Sequence, residues 1–235
     1  MAAPHWLALY GAILASWALL ATLAVRQGDA GWLADVCRAT VEAAGPGGTF
    51  AMWLLMAAAM MLPTALPAFA TYDEVAAAHG LGGGGRLVAG YAAVWVGASA
   101  VLAAAQGGLS ATGLLTEAGA ARPALAAGLL VLAALYQVSP VKAACLARCR
   151  APLTFLIAHW DRGPWAMGLR LGLVCLGCCW ALMALAFVGG AMSLAFMALG
   201  TVLMTAEKLS AGPAVGRAIA IACLVGAGFT SGGSP

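Results

Sequence analysis

The chain has 235 residues, of which 64 % are hydrophobic and only 8 % are charged, and its mean hydropathy is +0.98. Soluble domains carry roughly 25 % charged residues, so the composition excludes a water-soluble globular protein and predicts a single integral membrane domain over residues 1–235. The net charge of +3 is small and scattered, which gives no indication of nucleic-acid binding.

Apolar runs that can cross a bilayer as helices, which takes about 20 residues, recur along the chain. Seven are predicted, at residues 6–25, 49–69, 87–105, 123–141, 166–188, 191–206 and 213–229. The predicted fold is therefore an all-α polytopic transmembrane helix bundle. The N-terminus lacks the basic segment of a signal peptide, so the first run is expected to remain as a span.

The second predicted span carries a column of methionines. Met52, Met56 and Met60 recur every four residues and so share one face of a helix, with Met61 beside them. Pro63 and Pro67 follow, and proline breaks or kinks a helix. The sequence therefore predicts a kink or an end in the last third of this span, and then a polar loop over residues 72–86.

Two thiols lie in the most basic segment, residues 142–162. Cys145 and Cys149 are four residues apart and would point to one side of a helix. Neighbouring Lys and Arg side chains favour the thiolate form, which captures metals and exchanges with other thiols. The alternative is a surface helix that basic side chains hold at anionic lipid.

The fifth predicted span concentrates sulfur. Cys175, Cys179 and Met183 fall on one stripe at four-residue spacing, and Cys178 lies beside it. Thiolate and thioether groups are soft ligands suited to Cu(I), and thiolates also bind Zn(II). The alternative is that these side chains only fill an apolar interior.

Lys and Arg concentrate in cytoplasmic loops, and on seven spans their distribution predicts a cytoplasmic N-terminus and an outside C-terminus. Cys145 and Cys149 would then face a reducing compartment, and Cys37 alone would face the oxidising side. The same topology brings Met60 and Met61 to the depth of the cysteine stripe, with Met197 close by. A sulfur-lined site between the second, fifth and sixth predicted spans is geometrically possible, but the sequence does not show whether the stripes face one another.

Several signatures of other functions are missing from the sequence. There is no Walker-type phosphate loop and no His-Glu-x-x-His motif. No Asp or Glu is expected in the middle of a span, which argues against a proton-driven carrier or a Mg²⁺ or Ca²⁺ channel. Soft-metal binding and thiol chemistry remain.

The chain resembles a bacterial family of unknown function described as predicted metal-binding integral membrane proteins, some of which are labelled copper chaperones. The resemblance covers about residues 49–209. It rests on residues 56–63, Gly90, Tyr91, Trp95, residues 136–140, 142–145, 149–150, Pro152, residues 178–183, Glu207 and Lys208. It implies a location in the bacterial inner membrane.

The leading hypothesis is a Cu(I)-binding and delivery protein rather than an enzyme, with the lipid bilayer and a copper donor or acceptor protein as partners. Cys145 and Cys149 would be docking thiols at the aqueous edge. The predicted intramembrane ligands are Cys175, Cys178, Cys179, Met183, Met60 and Met61. Two alternatives stay open: a membrane thiol oxidoreductase, and a structural or assembly subunit of a membrane complex.

Overall fold

The computed structural model describes residues 4–28, 45–117, 119–190 and 193–232, and the chain is almost entirely helical there. The first four helices are α1 Pro4–Gly28, α2 Gly45–Ala78, α3 Gly84–Ala111 and α4 Pro123–Gln137. The next three are α5 Pro140–Arg150, α6 Pro152–Ile157 and α7 Gly163–Ala184. The last three are α8 Ala186–Gly189, α9 Leu194–Leu209 and α10 Ala214–Gly232. The described residues thus confirm the all-α class. Cys37, which is predicted to face the oxidising side, lies outside the described residues.

The number of membrane spans differs from the prediction. Four described segments are long and apolar enough to cross a bilayer: Gly45–Ala78, Gly84–Ala111, Trp160–Gly189 and Ala214–Ser231. A fifth is added if α4 and α5, which meet at an angle of 63°, form one broken span. The described apolar part of α1, His5–Leu19, and the 16-residue α9 are shorter than this. The predicted count of seven spans is therefore not confirmed.

Helix α2 does not end at its prolines but continues to Ala78. The loop predicted over residues 72–86 is therefore wrong for residues 72–78, which are helical. Proline has no backbone N–H, so Pro63 leaves the carbonyl of Ala59 without its helical donor. The indole Nε1 of Trp17 in α1 donates to that carbonyl at 2.9 Å. Because a neighbouring helix supplies the missing hydrogen bond, α2 continues past the proline.

The chain breaks between α4 and α5 for local reasons. Pro140 is the first residue of α5, and the side chain of Ser139 accepts a hydrogen bond from the backbone N–H of Lys142 at 3.2 Å. Proline at the first position and serine before it are the preferred start of a new helix. The bend turns α5 toward α7, where Tyr136 of α4 also donates to the carbonyl of Gly177.

Helices α3 and α7 cross with their backbones in close contact, and glycines make this crossing feasible. A Cβ on Gly168 would collide with the carbonyl of Leu87 and lie 3.0 Å from the backbone nitrogen of Tyr91. A Cβ on Gly90 would collide with the carbonyl of Trp165. Small residues at such positions allow membrane helices to approach closely. The crossing brings Tyr91 of α3 to the cysteine stripe of α7.

Candidate metal centre

The three cysteines of α7 form a buried thiol cluster. Cys175, Cys178 and Cys179 are each 2 % exposed, and their Sγ atoms all lie within 4.8 Å of one another. The Sγ atoms of Cys178 and Cys179 are 3.2 Å apart, and the Cys178 thiol donates to the carbonyl of Cys175 at 3.1 Å. One metal ion placed among these atoms would meet three soft sulfur donors, so the cluster fits Cu(I) or Zn(II).

A fourth thiol reaches the cluster from α5. The Sγ of Cys149 lies 3.8 Å from the Sγ of Cys178, and Cys149 is half-buried while the α7 cysteines are buried. The sequence predicts a docking pair, Cys145 and Cys149, at the aqueous edge and a separate set of intramembrane ligands. The structure instead places Cys149 beside that set, because the bend after α4 lays α5 against α7. We call Cys149, Cys175, Cys178 and Cys179 together the thiol centre.

Cys145 does not join the thiol centre in the same way. Its side chain lies against Gly177, where an added Cβ would be 2.7 Å from the Cys145 Sγ. Gly177 is between the cysteines in sequence, and on a helix it points about 100° away from Cys178. The two thiols of α5 therefore contact two different faces of α7. They are about one helical turn apart, and both are half-buried.

Two polar side chains from other helices contact the centre at Cys175. The ammonium of Lys208 in α9 donates to the Cys175 Sγ at 3.2 Å and to the Thr64 Oγ1 of α2 at 2.6 Å. The hydroxyl of Tyr91 in α3 is 3.2 Å from the same sulfur and donates to the carbonyl of Met61 at 3.1 Å. Helices α2, α3, α7 and α9 thus converge on one thiol.

The predicted methionine ligands are all buried but occupy different surroundings. Met61 contributes its backbone carbonyl to the Tyr91 hydroxyl. Met60 points toward α9, where its Cε would be 3.2 Å from a Cβ on Gly200. Met183 lines an apolar groove between α3 and α7 with Trp95 and Trp180. Met197 is 4 % exposed. From α2 and α9, the contacts around Cys175 involve Thr64, the Met61 carbonyl and Lys208, so the methionine thioethers stay predicted ligands.

A second polar network joins α4, α5 and α9. The carboxylate of Glu207 is 2.7 Å from the Lys142 ammonium and accepts a hydrogen bond from the Gln137 amide at 2.8 Å, and Lys142 also donates to the Gln137 carbonyl oxygen. Lys142 and Glu207 are each 2 % exposed. Glu207 is therefore a buried carboxylate, but it lies two residues before the end of α9 and not in the middle of a span.

The contacts of Lys208, Glu207 and Tyr91 are not predicted from the sequence. The available signal was the charged pair Glu207 and Lys208 at the end of an apolar run. Consecutive side chains on a helix point about 100° apart, so one of the pair faces α4 and α5 while the other faces α2 and α7. Charged residues kept inside a membrane domain usually have partners and functions.

Neither a curated protein nor a solved structure matches the chain. A family model does: it describes a copper chaperone family, PpoB2, and matches residues 50–230. The matched range contains every residue of the thiol centre as well as Tyr91 and Lys208. Together with a buried cysteine cluster that could hold a metal ion, this match over most of the sequence shows that the chain belongs to the PpoB2 copper chaperone family.

Proposed function

We propose that the protein binds Cu(I) at its thiol centre and passes the ion to another molecule. The observation that carries the proposal is the set of three buried thiols within 4.8 Å of one another on α7. Thiolates are soft ligands that favour Cu(I) over hard ions such as Mg²⁺ and Mn²⁺. The neighbouring carboxylate, Glu207, is occupied by Lys142 and Gln137. Zn(II), which thiolates also bind, is the alternative ion.

The proposed route of the ion runs from α5 to α7. Cys145 and Cys149 are half-buried, whereas the α7 cysteines are almost inaccessible. Because the Cys149 sulfur is 3.8 Å from the Cys178 sulfur, an ion held by Cys149 can acquire a second ligand from α7 before it leaves the first. Cys145 would receive the ion from a donor or help to release it. The thioethers of Met60, Met61 and Met183 are proposed as supporting ligands.

The proposed location is the bacterial inner membrane with a cytoplasmic N-terminus. Four or five described helices are apolar enough to cross a bilayer. The basic residues Arg148 and Arg150 lie on α5, close to the proposed entry thiols. Basic side chains favour the cytoplasmic face, where reduced thiols and Cu(I) persist. This location supports loading from the cytoplasmic side.

One observation favours a second function. The distance of 3.8 Å between the sulfurs of Cys149 and Cys178 is short enough that a modest shift would permit a disulfide, as a membrane thiol oxidoreductase requires. Disulfide formation would release two protons and two electrons to an external acceptor. That function predicts unchanged metal content and a trapped mixed disulfide with a partner in one of the single cysteine variants.

An uptake experiment tests binding and transfer together. The purified, reduced protein in detergent is mixed with Cu(I) bound to bicinchoninate, and the loss of the coloured complex is followed. We expect the wild type to take up one Cu(I) per chain. Cys149→Ser should slow uptake by about tenfold, the scale seen when a supporting group is lost from a metal site, because the thiol that bridges α5 and α7 is gone.

Cys145→Ser provides the matched comparison, since it removes a thiol from the same helix one turn away. It should slow uptake less than Cys149→Ser, because the Cys145 sulfur faces Gly177 rather than the Cys178 thiol. If the wild-type protein removes no Cu(I) from bicinchoninate, the proposed function is wrong. If the two single variants behave alike, the route through Cys149 is wrong.

A further inference from the structure

Lys208 is a cation whose nearest potential counter-charge is sulfur. Its ammonium has two hydrogen-bond acceptors, the Thr64 hydroxyl and the Cys175 sulfur. Within the described ranges, ion pairs with carboxylates are formed by His5 and by Lys142, but not by Lys208. The adjacent Glu207 carboxylate points to Lys142, at 2.7 Å. An ammonium in this position favours negative charge on the thiol centre.

Binding of Cu(I) creates such a charge. When a monovalent ion binds two of the thiols, two protons are released to water and the resulting Cu(I)–dithiolate complex has a net charge of −1. In an apolar protein interior, a charge without a partner is strongly unfavourable, and a paired, hydrogen-bonded charge is much less so. One ammonium that donates to a ligand sulfur brings the complex and its surroundings to neutrality.

We propose that Lys208 is a positioning and charge-balancing residue of the copper site: it donates to Cys175 and neutralises the Cu(I)–thiolate complex without binding the metal. This inference rests on the proposed function. Thr64 fixes the ammonium on the α2 side, and Tyr91 contacts the same sulfur from α3. Charge-assisted hydrogen bonds are stronger than neutral ones, so the lysine should add affinity and hold Cys175 in place.

The test is the Cu(I) affinity of Lys208→Gln and Lys208→Arg, measured by competition with a chromophoric Cu(I) chelator. Glutamine removes the charge, keeps a hydrogen-bond donor and adds no sulfur ligand, whereas arginine keeps the charge. Loss of groups that support metal ligands usually costs about 10- to 100-fold in affinity. We expect a loss in that range for Lys208→Gln and substantial recovery for Lys208→Arg, with similar thermal stability of the metal-free proteins.

The control is the double variant Lys142→Met/Glu207→Gln, which removes the buried Lys142 together with its counter-charge. It should keep Cu(I) affinity close to that of the wild type, because neither residue contacts a cysteine of the centre. The inference is overturned if Lys208→Gln binds Cu(I) as tightly as the wild type, or if Lys208→Arg loses as much affinity as Lys208→Gln. In both cases the wild-type protein would still bind Cu(I). The result would therefore refute the role of Lys208 and leave the proposed function intact.

Discussion

Replacing Cys178 and Cys179 together by serine is expected to remove bound Cu(I) from the protein while its helical fold remains. These two residues contribute two of the three clustered α7 thiols, and their sulfurs are 3.2 Å apart. A serine hydroxyl is a poor ligand for Cu(I). It is close to cysteine in size and can bond within its own helix, as the Cys178 thiol already does to the carbonyl of Cys175.

Copper content after dialysis and the helical circular-dichroism signal are the two measurements. Cys223→Ser is the matched control, because Cys223 is also buried but lies on α10, outside the thiol centre. The control should retain wild-type copper. A structural role of the cysteines predicts the reverse pattern, with loss of fold in the double variant. If the double variant retains as much copper as the wild type, the binding of Cu(I) by the α7 thiols is contradicted.

Glu207→Gln is expected to lower the free energy of unfolding by about 3–5 kcal/mol, the usual cost of removing one partner of a buried ion pair. The substitution leaves the Lys142 ammonium, 2 % exposed, without its counter-charge. Glutamine can still form a hydrogen bond with the Gln137 amide. The loss of stability therefore reports the missing charge and not a change in the shape of the side chain. Unfolding by a denaturing detergent in mixed micelles provides the measurement.

The double variant Lys142→Met/Glu207→Gln should recover most of that loss. It contains no unpaired charge, and replacing both members of a buried pair is often nearly neutral. If Glu207→Gln has the same free energy of unfolding as the wild type, the Lys142 and Glu207 pair does not stabilise the packing of α9 against α4 and α5. A double variant that is less stable than the single variant would lead to the same conclusion.

Much of the fold and part of the centre follow from local sequence. Apolar runs predict helices directly, and the spacing of Cys175, Cys178 and Cys179 places them on neighbouring positions of one helix whatever surrounds it. The cluster on α7 is therefore predictable from three residues. The number of spans is not, because length and hydropathy do not distinguish a straight span from the bent pair α4 and α5.

Contacts between helices could not be read from the sequence. Cys149 reaches Cys178 only because the bend at Ser139 and Pro140 lays α5 on α7. The continuation of α2 past Pro63 depends on Trp17, 42 positions from the carbonyl to which it donates. Lys208 and Glu207 look alike in sequence, as charges at the end of a span, and only the packing of α9 gives each its own partner.

The most direct test of the account is the metal selectivity of the purified wild-type protein. The protein is incubated under reducing, oxygen-free conditions with equal amounts of Cu(I), Mn(II) and Mg(II), and the retained metals are measured after desalting. A site built from thiols should retain Cu(I) at one ion per chain and neither of the two hard ions. Equal retention of soft and hard ions, or retention of none, would contradict the assignment of the thiol centre as a Cu(I) site.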